Sequence, residues 1–124
     1  MHARASADVQ AYEGFQTSGR AADDGRSDEA LVANWHRGNP QAGMELVDRY
    51  TALAERTALR FRADDVDVRA LGQAGVVGVF DALYAFDFED EESFRDVVGR
   101  CIERQVEAAA SRQLHLRDRV AVAD

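Results

Sequence analysis

Hydrophobic residues recur at three- and four-residue spacing along much of the chain, and this period is typical of amphipathic α-helices. The longest regular run covers residues 40–62. The positions that carry its repeat are Leu46, Val47, Tyr50, Leu53, Ala54, Thr57, Ala58 and Phe61. The pattern predicts a long helix that buries this face against the rest of the protein.

Three further helices are predicted from start and stop signals. The first begins at Ser27, a good N-cap, and ends at the turn Gly38-Asn39-Pro40, in which Asn39 can cap the next helix. The third starts after the capping residue Asp67 and runs to about Phe86. The fourth starts near Ser93, which has capping-box spacing to Asp96, and should end near Gln113.

The arrangement of these helices predicts one folded domain. Residues 1–26 are rich in Ala, Gly, Ser and Asp and have no sustained period, so we expect a flexible tail. Residues 27–113 contain the four helices, and residues 114–124 form a C-terminal tail without a strong pattern. Short connections favour antiparallel neighbours, so the fold class is all-α, a compact bundle of about four helices.

Composition narrows the functional classes. The 124 residues carry a net charge of -8, and all fifteen basic residues are Arg. An acidic protein is not suited to indiscriminate nucleic-acid binding, which depends on phosphate contacts, but a local basic face remains compatible with it. No apolar stretch is long enough to span a membrane and the first residues lack an apolar signal core, so we expect a cytoplasmic protein.

The residues that carry catalytic or metal chemistry are poorly arranged for either. Cys101 is the only cysteine and lies on an apolar face, so we interpret it as a small buried residue. The three histidines are scattered. The acidic run over residues 87–92 is consecutive in sequence and is best interpreted as a solvated loop with favourable charge at a helix start. We therefore expect no enzyme activity, no metal and no cofactor.

The third predicted helix contains three glycines, Gly72, Gly75 and Gly78, each of which costs about 1 kcal/mol of helix stability relative to alanine. Something must therefore approach this backbone closely. The pattern L-x-Q-x-G-x-x-G followed by an aromatic-Asp pair resembles the clamp-binding helix in region two of bacterial RNA polymerase sigma factors.

Two neighbouring segments extend this resemblance to residues 27–113. LVANWHRGNPQAGMELVDRY is similar to the opening of region two, and SFRDVVGRCIERQVEAAASRQ is similar to the helix that melts and reads the minus-ten promoter element. Its C-I-x-R-Q run is close to that of the sporulation-type alternative sigma factors. The chain is thus suspected to be a sigma region two-like domain acting in transcription and its regulation.

The resemblance implies two binding surfaces. On the third helix, the residues expected to bind the β′ clamp of RNA polymerase core are Arg69, Gln73, Val76 and Phe80. On the fourth helix, the residues expected to contact the non-template strand of promoter DNA are Arg100, Arg104, Gln105 and Arg112. Taken without the resemblance, these arginines beside Glu103 and Glu107 also fit a solvated, salt-bridged helix face.

Departures from the family pattern leave a second function open. Ala70 and Ala74 replace two acidic residues that normally face basic residues of the clamp. Arg100 and Cys101 occupy positions where many members carry adjacent tryptophans, which stack on flipped bases. The alternative is therefore a protein-interaction module with the sigma fold, an anti-sigma decoy or a polymerase-binding regulator that does not melt promoters.

Overall fold

The computed structural model describes residues 25–123, and within that range it describes every side chain except those at 117, 118 and 120–123. The described part contains four α-helices and no strand, which confirms the predicted all-α class. The helices are α1 (Asp28–His36), α2 (Pro40–Leu59), α3 (Val68–Ala85) and α4 (Phe94–Ala123). Up to residue 24, the predicted N-terminal tail lies outside the described residues.

The internal contacts divide the chain into two units, Met1–Arg49 and Tyr50–Asp124, with the boundary inside α2. In the first unit the predicted caps are confirmed. The Ser27 hydroxyl accepts a hydrogen bond from the Ala30 amide at 3.0 Å, and the Asn39 side chain accepts one from the Gln41 amide at 3.0 Å. Gly38 has a φ of +97°, a conformation that favours glycine and ends α1 sharply.

A buried charge network fastens the start of α1 to the first half of α2 in this unit. The Glu45 side chain is only 1% exposed and accepts hydrogen bonds from Arg26 and Arg49, each at 2.9 Å. Arg49 also donates to Asp28 at 2.9 Å. A carboxylate this deeply buried would be costly without its two cations, so this network favours one alignment of α1 against α2.

In the second unit, α3 and α4 pack side by side and antiparallel. The Gln113 side chain accepts from the Asp67 amide at 2.7 Å at one end of the pair, and the Phe86 and Phe94 rings lie 5.6 Å apart at the other. Asp67 caps α3 through a 3.3 Å bond from the Ala70 amide, as predicted. The inner face of α3 is buried at Leu71, Gly75, Val79 and Leu83, and its C-cap Phe86 is buried as well.

Two glycines of α3 allow this close packing. A Cβ added at Gly75 would lie 2.8 Å from the Ala54 Cβ of α2, and one added at Gly78 would lie 2.7 Å from the Cys101 carbonyl oxygen of α4. Both distances are too short for real atoms. The glycine spacing predicts that something packs closely against the α3 backbone. At Gly75 and Gly78, the protein's own helices α2 and α4 do so.

Two helix ends differ from their predicted positions. The prediction that α2 reaches Arg62 was wrong, because the helix ends at Leu59 and tightens into turns bonded three residues apart. The prediction that α4 ends near Gln113 was also wrong, because it continues to Ala123. Residues 114–123 contain neither Gly nor Pro, so nothing in that segment terminates the helix even though its apolar pattern is weak.

Among the described residues, none of the helices has the length and apolar character needed to cross a membrane. The same residues contain no group of three or more His, Cys, Asp or Glu side chains placed to hold a metal ion.

Candidate functional site

The four predicted clamp-binding residues share one face of α3. Arg69, Gln73, Val76 and Phe80 are spaced by four, three and four residues, so they follow one side of the helix. Arg69 and Gln73 are exposed, Val76 is half-buried and Phe80 is 37% exposed. We call this set the α3 ridge. Neither Arg69 nor Gln73 forms an ion pair or side-chain hydrogen bond with another described residue, so both polar groups are available to a partner.

A groove runs along one side of the α3 ridge, between α3 and the second half of α2. Its volume is about 440 Å³. Its lining residues are Thr51, Glu55, Ala58, Leu59, Val68, Arg69, Gly72, Gln73 and Val76. We call it the Gly72 groove, because a Cβ added at Gly72 would meet nothing closer than the Glu55 Cγ atom, at 3.9 Å. Unlike Gly75 and Gly78, Gly72 is not required by packing against any part of the chain that the structure describes.

A second depression lies on the other side of the α3 ridge, between α3 and α4, with a volume of about 390 Å³. Each helix contributes four residues at spacing i, i+3, i+4 and i+7. They are Ala70, Gln73, Ala74 and Val77 from α3, and Ala109, Arg112, Gln113 and Leu116 from α4. We call it the Ala70–Ala74 cleft. Arg112 is the one charged residue in its lining, and the small side chains of the two alanines leave it mostly apolar.

Sequence reasoning missed two exposed apolar side chains beside the α3 ridge. Val77 is 49% exposed and Tyr84 is 76% exposed. Tyr84 lies one turn beyond Phe80, so the pair forms an exposed aromatic end to this face. The spacing gives a signal, since Val77 and Tyr84 are seven residues apart and therefore lie on one side of the helix. However, α3 carries apolar residues nearly all round, so the sequence does not show which of them are exposed.

The predicted DNA-contacting residues of α4 do not form one continuous surface. Arg100 and Arg104 lie together at the acidic end of the helix pair, beside a small depression of about 170 Å³. Arg100 donates through both terminal nitrogens to the Glu92 carboxylate, and Asp87 and Asp90 line the same depression. Arg104 is exposed and forms no ion pair with a described residue. Acidic neighbours therefore offset much of the positive potential that a phosphate would meet here.

Gln105 and Arg112 lie apart from these two arginines. Gln105 is half-buried, and its amide donates to the Asp81 carboxylate of α3 at 2.7 Å. Arg112 lines the Ala70–Ala74 cleft instead of extending the surface of Arg100 and Arg104. The salt-bridged alternative fits Glu103, which pairs with Arg60, in the turn that follows α2, at 2.6 Å between two largely exposed side chains.

Helix α4 presents no large aromatic surface to a nucleic-acid base. Phe94 is its only Phe, Tyr or Trp, and this ring is fully buried. Val97 and Cys101, on the same helix, are only 8% and 5% exposed. The burial of Cys101 confirms its interpretation as a small core residue.

Comparison of the chain with known proteins adds no relative. No family model, no curated protein and no solved structure matches it.

Proposed function

We propose that this chain is a sigma region two-like module that docks on the β′ clamp of RNA polymerase core, in the cytoplasm, through the α3 ridge. The observation that carries the proposal is the geometry of that ridge. Four residues selected from the sequence resemblance share one exposed helix face, and its polar members have no partner among the described side chains.

The surface has the composition of a protein-docking site. An exposed aromatic residue, an arginine and an amide are the kinds of side chain that anchor protein interfaces, and helix faces commonly bind in grooves between partner helices. The Gly72 groove beside the ridge would admit an apolar side chain of the partner. The conformational cost of Gly72 is then offset on binding and not within the folded protein.

Engagement of the minus-ten promoter element is the second candidate function, and Arg104 is the observation that favours it. This arginine is exposed and forms no ion pair with a described residue, so it can contact a phosphate. Three features argue against promoter engagement. Arg100 is paired with Glu92, Gln105 is bonded to Asp81, and α4 has no exposed large aromatic residue. These features favour polymerase binding, or capture of an anti-sigma factor, without promoter melting.

The docking proposal is tested by the affinity of fluorescently labelled protein for purified polymerase core. We expect measurable binding that Gln73→Ala weakens about tenfold, the effect of losing about 1.4 kcal/mol of binding free energy. Arg95→Ala is the control, because Arg95 is exposed on α4 and belongs neither to the ridge nor to the lining of the Gly72 groove. Absence of binding, or equal losses in the two variants, would overturn docking through the ridge.

A parallel titration addresses promoter DNA. A single-stranded oligonucleotide of the minus-ten non-template sequence is added at two salt concentrations to the wild-type protein and to Arg104→Ala. Binding with a salt slope that falls in the variant would support the second candidate. Polymerase binding without any oligonucleotide binding would leave the clamp-docking function alone.

A further inference from the structure

We propose that this chain associates head to tail with a second copy of itself, and that the projecting end of α4 docks on the acidic loop of the second copy. We call residues 114–123, which end α4, the α4 projection, and residues 87–92, which lie between α3 and α4, the acidic loop. The two surfaces lie at opposite ends of the antiparallel helix pair. Neither contains a residue of the α3 ridge, so the partner and both surfaces differ from those of clamp docking.

The α4 projection presents a helix face that α3 does not cover. Gln113 is bonded to Asp67, the residue that caps the start of α3, so α4 continues for ten residues beyond its neighbour. At about 1.5 Å per residue, the projection is about 15 Å long. The strip that packs on α3 continues along it in sequence, with alternating spacings of three and four residues, at Val106, Ala109, Gln113, Leu116, Val120 and Ala123. Leu116 is 58% exposed, so a partner that covers this strip would bury apolar surface.

The acidic loop presents an aromatic ring surrounded by negative charge. Five of its six residues are Asp or Glu, and the sixth is Phe88. The Phe88 side chain is 49% exposed, and its ring packs edge-on against the Phe86 ring at 4.9 Å. Arg100 pairs with Glu92, whereas the exposed carboxylates at positions 89–91 form no ion pair with a described residue. The loop therefore fits a partner that is both apolar and basic.

Opposite charge selects the acidic loop as the occupant of the projection. The whole chain has a net charge of -8, yet the projection carries two arginines against one aspartate. The Arg119 side chain is exposed and forms no ion pair with a described residue. Asp64 and Asp65 come just before Asp67, at the base of the projection, so positive charge is concentrated around Arg119. Two projections would repel each other through their arginines, whereas a projection and a loop attract.

A head-to-tail contact leaves an unoccupied projection on one copy and an unoccupied loop on the other, so further copies can add at both ends. The contact joins a short loop to about three turns of helix, so its buried area belongs to the class of weak, transient interfaces. We therefore expect association that grows with protein concentration. It should weaken as salt is raised, because most of the attraction is between exposed charges.

The test uses two variants of the full chain, each of which lacks one surface. Leu116→Ser with Arg119→Ser removes the leucine and the cation of the projection. Phe88→Ser with Glu91→Gln removes the ring and one carboxylate of the loop. Sedimentation velocity over a range of concentrations should show association of the wild-type protein and only monomers of either variant alone. An equimolar mixture of the two variants should regain association but stop at dimers, because each pair retains only one intact projection and one intact loop.

A matched control makes the same kinds of change elsewhere. Met44→Ser with Arg56→Ser alters exposed residues of α2 outside both surfaces, and this variant should associate like the wild-type protein. The four test positions are exposed as well, so their substitutions should cost little stability. Circular dichroism and thermal unfolding check that each variant is folded. If one unfolds, the wild-type protein keeps the test decisive, because its association must weaken as salt is raised.

Three results would overturn head-to-tail association: a wild-type protein that stays monomeric at every concentration, a variant that associates as strongly as the wild-type protein, or a mixture of the two variants that stays monomeric. Gln73→Ala should associate like the wild-type protein, because the α3 ridge takes no part in the contact, and a loss in that variant would also contradict the proposal. Failure of self-association leaves clamp docking untouched, since that proposal is measured with polymerase core.

Discussion

Helix α3 has two faces whose glycines serve different purposes. On the buried face, Gly75 and Gly78 permit neighbouring helices to approach within distances that no Cβ would tolerate. On the exposed face, Gly72 opens into a groove, and no described residue lies close enough to require a glycine there. Close helix packing therefore explains the glycines at positions 75 and 78. It does not explain Gly72, which is instead accounted for by the proposed binding of a partner.

Of the three glycine substitutions, Gly78→Ala should destabilise the protein most. The added methyl would lie 2.7 Å from the Cys101 carbonyl oxygen and from the Ile102 Cα atom, and backbone atoms inside a helix cannot move aside cheaply. We expect the free energy of unfolding to fall by about 3 kcal/mol, the upper part of the usual range for overpacking. Urea denaturation measures it, and a loss below that of Gly75→Ala would contradict the packing argument.

Gly75→Ala should cost less, about 2 kcal/mol, because its closest contact is the Ala54 side chain at 2.8 Å. A double-mutant cycle sharpens this prediction. Ala54→Gly removes the atom that is hit, so the two changes together should cost less than their sum by about 1 kcal/mol. Strict additivity in urea denaturation would show that Ala54 is not the obstacle.

Gly72→Ala should have the smallest effect on stability, and unlike the other two substitutions it should stabilise the protein. The new methyl enters open space, the nearest atom being 3.9 Å away, while alanine restores helix propensity. We expect the free energy of unfolding to rise by about 1 kcal/mol, and the melting temperature to rise by several degrees. Thermal unfolding followed by circular dichroism measures the change. A destabilised variant would contradict the distinction between the two faces of α3.

Most of the fold could be predicted because it depends on local signals. Caps at Ser27, Asn39 and Asp67 and the apolar period of α2 to α4 act over a few residues, so they can be read along the chain. The end of α4 could not be predicted, since its last ten residues lack both a helix breaker and a strong apolar face, so no local signal in them distinguishes a helix from an irregular tail.

The candidate site was predictable in part for the same reason. Spacing alone placed Arg69, Gln73, Val76 and Phe80 on one face, because helical phase is a local property. The pairing of Gln105 with Asp81 and of Arg100 with Glu92 depends on how helices and loops meet across 24 and 8 residues of sequence. The role of each glycine in α3 likewise depends on which neighbouring helix packs against it, and the sequence does not show this.

The most direct test of the account is the affinity of Gly72→Leu for RNA polymerase core. Leucine is a good helix former, its Cβ would lie no closer than 3.9 Å to a neighbouring atom, and the groove of about 440 Å³ offers space for the rest of the side chain. The account predicts a variant at least as stable as the wild-type protein that binds core about tenfold more weakly or worse. A stable variant that binds core as tightly as the wild-type protein would contradict the claim that the exposed face of α3 is a docking surface.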